Sequence, residues 1–426
     1  MIKKSSLYTF LLVILLTYVN QPFYFAGITA LHKLAYYGLS LLPFALALCY
    51  GLKKDNNTSF FIFYVFFYFI VAFLITLITL SFDFQYIIYL VRLLIGISAT
   101  LSVYFIYKYW AKYKGITVSF EKIYLKSVAL YIWGTIFFIV IPPLKEFWSS
   151  ILADLGKTDF SDFVEYVTRF GFAGFSGFGC TFMVCTACTY LSYLYLNKEI
   201  STSKCKLYSI LFIIGSFFYG RVGLVVAIIT LGLTSLYCLF HKKPGLFKFY
   251  IFLVFLLIGI IVLIYLTIPD TQAFIEWCFE PIFNFMDKGK LESASTNGLK
   301  SFYENFHPSD QTLLHGDGYW LDLSGDGYYG HTDVGFMRNI YYGGIFYTVI
   351  LYILGIFFLF CLYQSMKLNQ KKATGFICFL MLIQLVIFEV KGDILFLFLK
   401  AYLPLLLCNI EIKQKSNSLS LLKGTV

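Results

Sequence analysis

The stretch "FFIFYVFFYFIVAFLITLITL", Phe60–Leu80, decides the fold class because it contains no charged residue from its first position to its last. An α-helix of roughly 20 apolar residues crosses a hydrocarbon layer of about 30 Å. The rest of the chain has the same character: 59% of its 426 residues are hydrophobic and 13% are charged, whereas a soluble domain has about 25% charged residues. The sequence therefore predicts an all-α polytopic membrane protein.

Comparable apolar runs predict about twelve transmembrane helices in total. We expect them at residues 6–24, 32–51, 60–80, 86–107, 123–141, 170–196, 207–219, 222–240, 248–268, 335–362, 374–390 and 394–410. The first run lacks the small-residue cleavage pattern of a signal peptide, so we expect it to be a retained helix. Together these helices predict a single integral membrane domain over residues 1–410, followed by a basic tail over residues 411–426.

Basic residues are concentrated in every second connection between the predicted helices, which is the pattern of cytoplasmic loops. The alternate connections have fewer lysines and more acids, so both termini are predicted to be cytoplasmic. The formal net charge of +10 comes from these short loops and is not gathered into a binding stripe. We therefore expect membrane lipids, and no nucleic acid, as partners.

Two connections on the outer side of the membrane are long, at residues 142–168 and 269–334. Apolar residues at near-helical spacing in the first connection predict a helix on the membrane surface. The second connection holds most of the polar side chains, and long loops of this kind are often functional. The predicted helix at 207–219 is short and is followed by Gly220 and Arg221, which favours a broken helix that lines a cavity.

Three arginines, Arg169, Arg221 and Arg338, are predicted to lie at one depth near the outer membrane surface. Guanidinium groups that meet repel one another unless an anion joins them, and arginine forms bidentate hydrogen bonds to phosphate oxygens. A pyrophosphate therefore suits the three together. Lys391 either faces the same anion or forms a salt bridge with Glu389 or Asp393. The alternative for the arginines is that each one extends toward the headgroups or pairs with a loop acid.

Candidate proton acceptors lie at the entrance to the predicted helix 335–362. His331 and Asp333 are the first candidates and His315 is the third, because a histidine titrates near neutral pH and accepts a proton from a hydroxyl. The alternative for either histidine is an ordinary surface position. Thr332 or Asp333 is also expected to cap this helix through a side-chain oxygen.

The remaining candidates for substrate contacts are Asp317, Tyr319, Trp320 and Glu389. Asp-Gly pairs such as the one in "HGDGYW" are typical of turns, which gives Asp317 a structural alternative. The aromatic rings either stack against sugar rings or lie at the headgroup level of the membrane. These residues therefore extend the predicted site without defining its chemistry.

No metal or other cofactor is predicted from the sequence. Three of the ten cysteines, Cys180, Cys185 and Cys188, are close together but lie in an apolar helix with no histidine or acid nearby. Small residues in membrane helices usually serve helix packing. We therefore interpret these cysteines as packing residues.

Several motifs follow one another in a distinctive order along the chain. "RFGFAGFSG" from Arg169 begins a predicted span, and "GRVGL" from Gly220 follows in the next hairpin. "HGDGYW" and "HTDVGFMRNIYYGGI" lead from the large outer loop into another span, and "EVKGDILF" from Glu389 lies in the last outer hairpin. This order, which covers most of residues 160–400, resembles that of the Wzy-type O-antigen polymerases of bacterial surface-polysaccharide pathways.

This resemblance implies a glycosyltransferase of the all-helical C-type class in the bacterial inner membrane, acting without a nucleotide sugar. Its partners would be undecaprenyl-pyrophosphate-linked oligosaccharides, as donor and acceptor, at the periplasmic face. The growing glycan would move from its lipid carrier to the non-reducing end of a lipid-linked repeat unit, with inversion. A chain-length regulator is a further candidate partner. An O-antigen ligase and a non-enzymatic flippase for lipid-linked oligosaccharides are the alternatives.

The resemblance also implies roles for the candidate residues. Arg169, Arg221 and Arg338 would hold the pyrophosphate of the leaving group, because that group departs readily once its charge is held. His331 or Asp333 would take the proton of the acceptor hydroxyl.

Overall fold

The structure is a computed structural model, and it describes residues 4–50, 56–152, 170–175, 177–323 and 327–423. The described chain is almost entirely helical, as the sequence predicts, apart from one hairpin of two-residue strands. It divides into two compact units. We call residues 1–154 and 306–426 the terminal unit and residues 155–305 the central unit.

The elements follow one another with short connections. The terminal unit begins with helices α1 (Lys4–Asn20), α2 (Thr29–Tyr50), α3 (Asn56–Ile78), α4 (Gln85–Lys114), α5 (Phe120–Val140) and α6 (Pro142–Ile151). The central unit contains strands β1 (Phe170–Gly171) and β2 (Gly174–Phe175) and helices α7 (Phe178–Leu196), α8 (Thr202–Tyr219), α9 (Arg221–Phe240), α10 (Gly245–Thr267), α11 (Gln272–Cys278), α12 (Glu280–Lys288) and α13 (Ala294–Glu304). The terminal unit resumes with α14 (Asp310–His315), α15 (Gly335–Leu368), α16 (Thr374–Glu389) and α17 (Leu395–Lys423).

Six of the described helices, α4, α5, α7, α9, α10 and α15, are long and apolar enough to cross a membrane. Helix α10 has the highest mean hydropathy of the six, at 3.1. Large apolar side chains of this helix, such as Phe255, Leu263 and Leu266, are exposed. Such a surface is unstable in water and suits contact with lipid. The fold is therefore that of an all-α protein with several helices suited to the membrane.

Each of the twelve predicted spans overlaps a described helix, so apolar runs located the helices correctly. Twelve membrane crossings and a single domain over residues 1–410 remain predictions. Helix α17 continues to Lys423, into the segment expected to be a tail.

Two helix boundaries differ from the sequence predictions. Residues 170–175 form the β1–β2 hairpin, and the expected helix 170–196 begins only at Phe178, because the intervening glycines favour turns. Helix α8 begins at Thr202 and has 18 residues, or about 27 Å of length, instead of the short run 207–219. Hydropathy missed its first turns because Lys204 and Lys206 lie in them.

The two long outer connections contain helices. Helix α6 confirms a helix at the start of residues 142–168, and it leaves Phe147 exposed. The rest of that connection, from residue 153, lies outside the described residues. The second connection, at residues 269–334, is built from the short helices α11 to α14 and two 3₁₀ turns, Pro269–Thr271 and Tyr329–His331.

A kink in α15 receives the loop that follows α14. Gly344 has φ 78° and ψ −179°, a conformation essentially reserved for glycine. At the kink, the backbone N–H groups of Asp317 and Gly318 donate to the carbonyls of Tyr341 (2.7 Å) and Tyr342 (3.0 Å). A methyl group at Gly344 would overlap the carbonyl oxygen of Leu314. The glycines of "HGDG" and "YYGG" therefore allow the backbone of the loop after α14 to contact the backbone of α15 directly.

Replacing Gly344 by alanine should destabilise the terminal unit. The new methyl group would overlap backbone atoms and force a residue with a side chain into a backbone conformation essentially reserved for glycine, which alone costs roughly 1–3 kcal/mol. We expect a lower apparent melting temperature of the purified protein in detergent. The matched control is Gly38→Ala in α2, where an added methyl group meets nothing within 4 Å. An unchanged melting temperature for Gly344→Ala would show that the kink is not required.

Candidate functional site

Arg338, in the first turn of α15, is buried with its guanidinium group between two aromatic rings. Only 6% of the residue is exposed. Its guanidinium carbon lies 3.9 Å from the ring centre of Trp320 and 3.4 Å from that of Tyr328. Cation–π contacts of this kind stabilise a desolvated cation by about 2 kcal/mol. The planes of the two rings are inclined at 66° to each other, so they contact the guanidinium group from two directions and do not stack on its opposite faces.

Asp83, in the connection between α3 and α4, holds the segment that carries the first ring. Its Oδ2 accepts hydrogen bonds from the backbone N–H groups of Trp320 (2.7 Å) and Leu321 (3.3 Å), and its Oδ1 accepts one from Gln85 (2.8 Å). An antiparallel bridge between Leu321 and Tyr328 brings the second ring to the site. Asp83 was not predicted from the sequence to belong to the site. The one feature that points to it is that an acidic residue lies in a very short outer connection.

Two groups at this site are buried without hydrogen-bond partners among the described residues. They are the Nε of Arg338 and both carboxylate oxygens of Asp393, in the linker between α16 and α17. Burial raises the pKa of Asp393 to about 6, and the charge of Arg338 acts in the opposite direction. A buried polar group with no partner costs about 1–3 kcal/mol, so these two groups are candidates for contact with a polar ligand.

Glu389, the last residue of α16, is buried as well but is fully engaged by the protein. Its Oε1 accepts a hydrogen bond from the backbone N–H of Ile394 (2.9 Å), and its Oε2 accepts one from the hydroxyl of Tyr352 (3.0 Å). A methyl group at Gly335, the first residue of α15, would overlap this Oε2. The carboxylate therefore occupies the helix N-terminus, where the helix dipole favours negative charge.

The three predicted proton acceptors lie at exposed positions. His331 has 78% of its side chain exposed, and its Nε2 lies 3.5 Å from Oδ2 of Asp322. His315 and Asp333 are also exposed. The prediction that Thr332 or Asp333 caps α15 is wrong, since the N-cap is Val334 without a side-chain cap. The Thr332 hydroxyl instead accepts from the Val334 N–H (3.2 Å), one residue before the helix.

The predicted sugar-contact residues lie around the same loop. Asp317 accepts hydrogen bonds from the hydroxyls of Thr312 (2.9 Å) and Tyr329 (3.2 Å), so its carboxylate braces the turn after α14. Burial and then the charge of Asp317 raise the pKa of Tyr329 to about 12. Tyr319 is half-buried, with its ring centre 5.4 Å from that of Tyr329. Lys391, two residues before Asp393, is also half-buried.

In the central unit, Arg221 forms an ion pair with a loop acid. Its Nη1 donates to Oε2 of Glu280 at 2.6 Å, and the other carboxylate oxygen accepts from the Ala294 N–H at 2.7 Å. Partial burial raises the pKa of Glu280, but these two hydrogen bonds outweigh it and leave the pKa below its ordinary value. Arg169 lies outside the described residues. A common anion for Arg169, Arg221 and Arg338 therefore remains a prediction.

The described residues contain no group of three or more His, Cys, Asp or Glu side chains arranged to hold a metal ion. Cys180, Cys185 and Cys188 are buried in α7, where the Cys185 thiol donates to the carbonyl of Gly223 at 3.3 Å. Thr181, on the same helix, lies where a methyl group at Gly223 would overlap it. These contacts join α7 closely to α9, which is a packing role.

Comparison of the chain with protein-family models, with curated proteins and with solved structures finds no match. The chemistry of the site is therefore argued from its own side chains.

Replacing Asp83 by alanine should loosen the segment that carries Trp320. The carboxylate accepts hydrogen bonds from two amides there, and a hydrogen bond to a charged group contributes about 1.5–3 kcal/mol. We expect amide exchange at Trp320 and Leu321 to be at least about tenfold faster, measured by hydrogen–deuterium exchange mass spectrometry. Asp333→Ala, which removes an exposed carboxylate nearby, is the control. Unchanged exchange in Asp83→Ala would mean that the segment is held by other contacts.

Proposed function

We propose that this protein is an O-antigen polymerase, an inverting glycosyltransferase that moves a growing glycan from undecaprenyl pyrophosphate to a lipid-linked repeat unit. The observation that carries the proposal is the buried Arg338, held between Trp320 and Tyr328 beside the unpaired carboxylate of Asp393. The motif order from Arg169 to the last outer hairpin supplies the substrate class. The proposal includes a bacterial inner-membrane location, about twelve crossings, cytoplasmic termini and a C-type glycosyltransferase fold.

The clamp on Arg338 suits a diphosphate leaving group. The guanidinium contacts both aromatic rings, and its Nε has no hydrogen-bond partner among the described residues. A guanidinium group forms two parallel hydrogen bonds to phosphate oxygens where its N–H groups are available. The clamp fixes this arrangement before the substrate arrives. A preorganised cation in a site shielded from water stabilises the charge that develops on the leaving oxygen.

The charge balance of the site requires a further cation. A pyrophosphate diester carries about two negative charges, whereas Arg338 supplies one positive charge and stands near the buried acids Asp393 and Glu389. The N-terminus of α15 is already occupied by the Glu389 carboxylate. Lys391 is the cation in the same linker, and Arg221 and Arg169 are the other candidates. The half-buried Tyr319 ring and the exposed His315 are candidates for contact with the sugar.

Arg338→Ala should abolish long-chain glycan, because the leaving diphosphate loses its cation. Removal of one preorganised donor of this kind lowers turnover by about 100- to 1,000-fold. Arg338→Lys should restore only part of the activity, because a lysine keeps the charge but not the planar fork. Chain length on gels of surface polysaccharide from a complemented deletion strain measures the outcome.

Arg92→Ala is the matched control for these variants, because Arg92 is exposed on α4 and should tolerate the change. A normal polymer ladder from Arg338→Ala would defeat the proposal. The deletion strain separates the alternatives: a single repeat unit on its lipopolysaccharide indicates a polymerase, and loss of every repeat unit indicates a ligase. A flippase would leave the repeat units undisplayed and would not lengthen lipid-linked units in detergent.

The ion pair in the central unit allows a separate test of Arg221. If Arg221 holds the diphosphate, Arg221→Ala should remove the polymer, whereas Glu280→Gln should keep it, since an amide still accepts a hydrogen bond from Arg221 without competing as an anion. Polymer length and the amount of protein in the membrane are measured for both variants. Equal loss of protein from the membrane in both would assign the pair a structural role.

A further inference from the structure

We propose that Asp393 is the catalytic residue that accepts the proton of the acceptor hydroxyl. The proposal rests on the proposed function, and it replaces the exposed histidines and Asp333 as the site of proton transfer. It is carried by geometry: both oxygens of Asp393 are buried and have no hydrogen bond of normal geometry among the described residues, and its linker packs on the start of α15, the helix that carries Arg338.

The other acids and histidines of the site are engaged or exposed. Glu389 already accepts a hydrogen bond on each carboxyl oxygen, from the Tyr352 hydroxyl and the Ile394 N–H, so the protein itself engages this acid. His331 is largely exposed and stands beside Asp322. His315 and Asp333 lie at the surface, where water competes for any proton they take. A carboxylate that is shielded from water and has no hydrogen-bond partner is stabilised most when it accepts the proton of a hydroxyl group.

The protein holds Asp393 by its backbone and leaves its side chain available. Its carbonyl oxygen accepts a hydrogen bond from the hydroxyl of Tyr89 (3.3 Å). The Tyr89 ring stacks on Trp320, with ring centres 5.5 Å apart, and Trp320 covers Arg338. The linker also packs against the start of α15, because a methyl group at Gly335 would lie 2.7 Å from the carbonyl of Gly392. The position of the carboxylate is thereby tied to that of the diphosphate-binding cation.

The proposed step balances in atoms and charge. The acceptor hydroxyl oxygen attacks the anomeric carbon of the donor glycan and forms the new glycosidic bond. The bond from that carbon to the pyrophosphate oxygen breaks, and its electron pair leaves on undecaprenyl pyrophosphate, held by Arg338. The hydroxyl proton passes to an Asp393 oxygen. Protonated Asp393 then returns the proton to the departing diphosphate or to water, which restores the site.

Several titratable and charged groups face Asp393 from the elements around it. They are Tyr86 and Tyr89 of α4, Arg338 and Tyr352 of α15, and Glu389 of α16. With its pKa raised by burial to about 6, Asp393 is ionised at neutral pH and ready to accept a proton. Transfer should therefore fall as the pH drops through about 6.

The effect on stability has the opposite sign to the effect on transfer. An acid whose folded-state pKa is raised favours the folded state when it is neutral. The contribution of neutral Asp393 to the stability of the folded state is fully present below the ordinary aspartate pKa of about 3.9, and it is lost as the pH rises through about 6.

The test compares Asp393→Asn with wild type, using purified full-length protein and a synthetic undecaprenyl-pyrophosphate-linked repeat unit. Loss of a general base should lower transfer by about 100- to 10,000-fold. Binding of undecaprenyl pyrophosphate alone, measured by calorimetry, should be retained or become tighter, because Arg338 is intact and a nearby negative charge is removed. Asp393→Glu should recover part of the transfer activity, and the pH at which transfer falls on the acidic side should shift. Asp287→Asn, on the exposed face of α12, is the matched control and should behave as wild type.

Each outcome decides a different statement. Wild-type protein that neither binds undecaprenyl pyrophosphate nor lengthens the repeat unit removes the proposed function, and the role of Asp393 with it. Wild-type transfer together with near-normal transfer by Asp393→Asn removes the role of Asp393 alone. In that case loss of transfer in His331→Ala assigns the proton to the histidine. Asp393→Asn removes a charge from an apolar site. If this variant loses transfer but keeps the melting temperature of wild type, the loss is a chemical defect and not a consequence of unfolding.

Discussion

The guanidinium of Arg338 lies desolvated between two aromatic rings, and much of the terminal unit is arranged to keep it there. Helix α15 supplies the arginine, Asp83 holds the backbone of Trp320, and the bridge to Leu321 brings the Tyr328 ring to the same guanidinium. A buried cation whose Nε has no hydrogen-bond partner is costly, and contact with two aromatic rings offsets part of that cost. In the proposed mechanism, this unsatisfied donor is available to a phosphate oxygen.

The two buried acids near Arg338 occupy contrasting environments although they are only four positions apart. Glu389 lies beside the first residue of α15 and accepts a hydrogen bond on each carboxyl oxygen. Neither Asp393 oxygen has a hydrogen bond of normal geometry among the described residues, and its pKa is influenced first by burial, then by Arg338 and by the backbone N–H of Leu395. Acids with such different surroundings serve different roles in acid–base chemistry. Glu389 therefore organises the junction of three helices, and Asp393 is the reactive member of the pair in the proposed mechanism.

The sequence predicted the helices well because an uncharged apolar run is a local property that each segment carries by itself. It also pointed to Arg338, since a charge in an apolar helix is expensive enough to signal function. It failed where the structure depends on contacts between distant segments. Asp83 and Trp320 are 237 positions apart, and neither has a pattern that points to the other. The contrast between Glu389 and Asp393 depends on backbone donors in the following linker, which no periodicity reveals.

Donor binding and proton transfer are coupled through Arg338 in the proposed mechanism. Before the donor arrives, the charge of Arg338 acts to lower the pKa of Asp393. A diphosphate that binds to Arg338 neutralises this influence and adds negative charge nearby, so the proton affinity of Asp393 rises. The carboxylate thus becomes a stronger base when the leaving group is in place. An acceptor hydroxyl that enters without a donor meets a weaker base and no diphosphate to displace, and the same cation therefore governs both the leaving group and the timing of the attack.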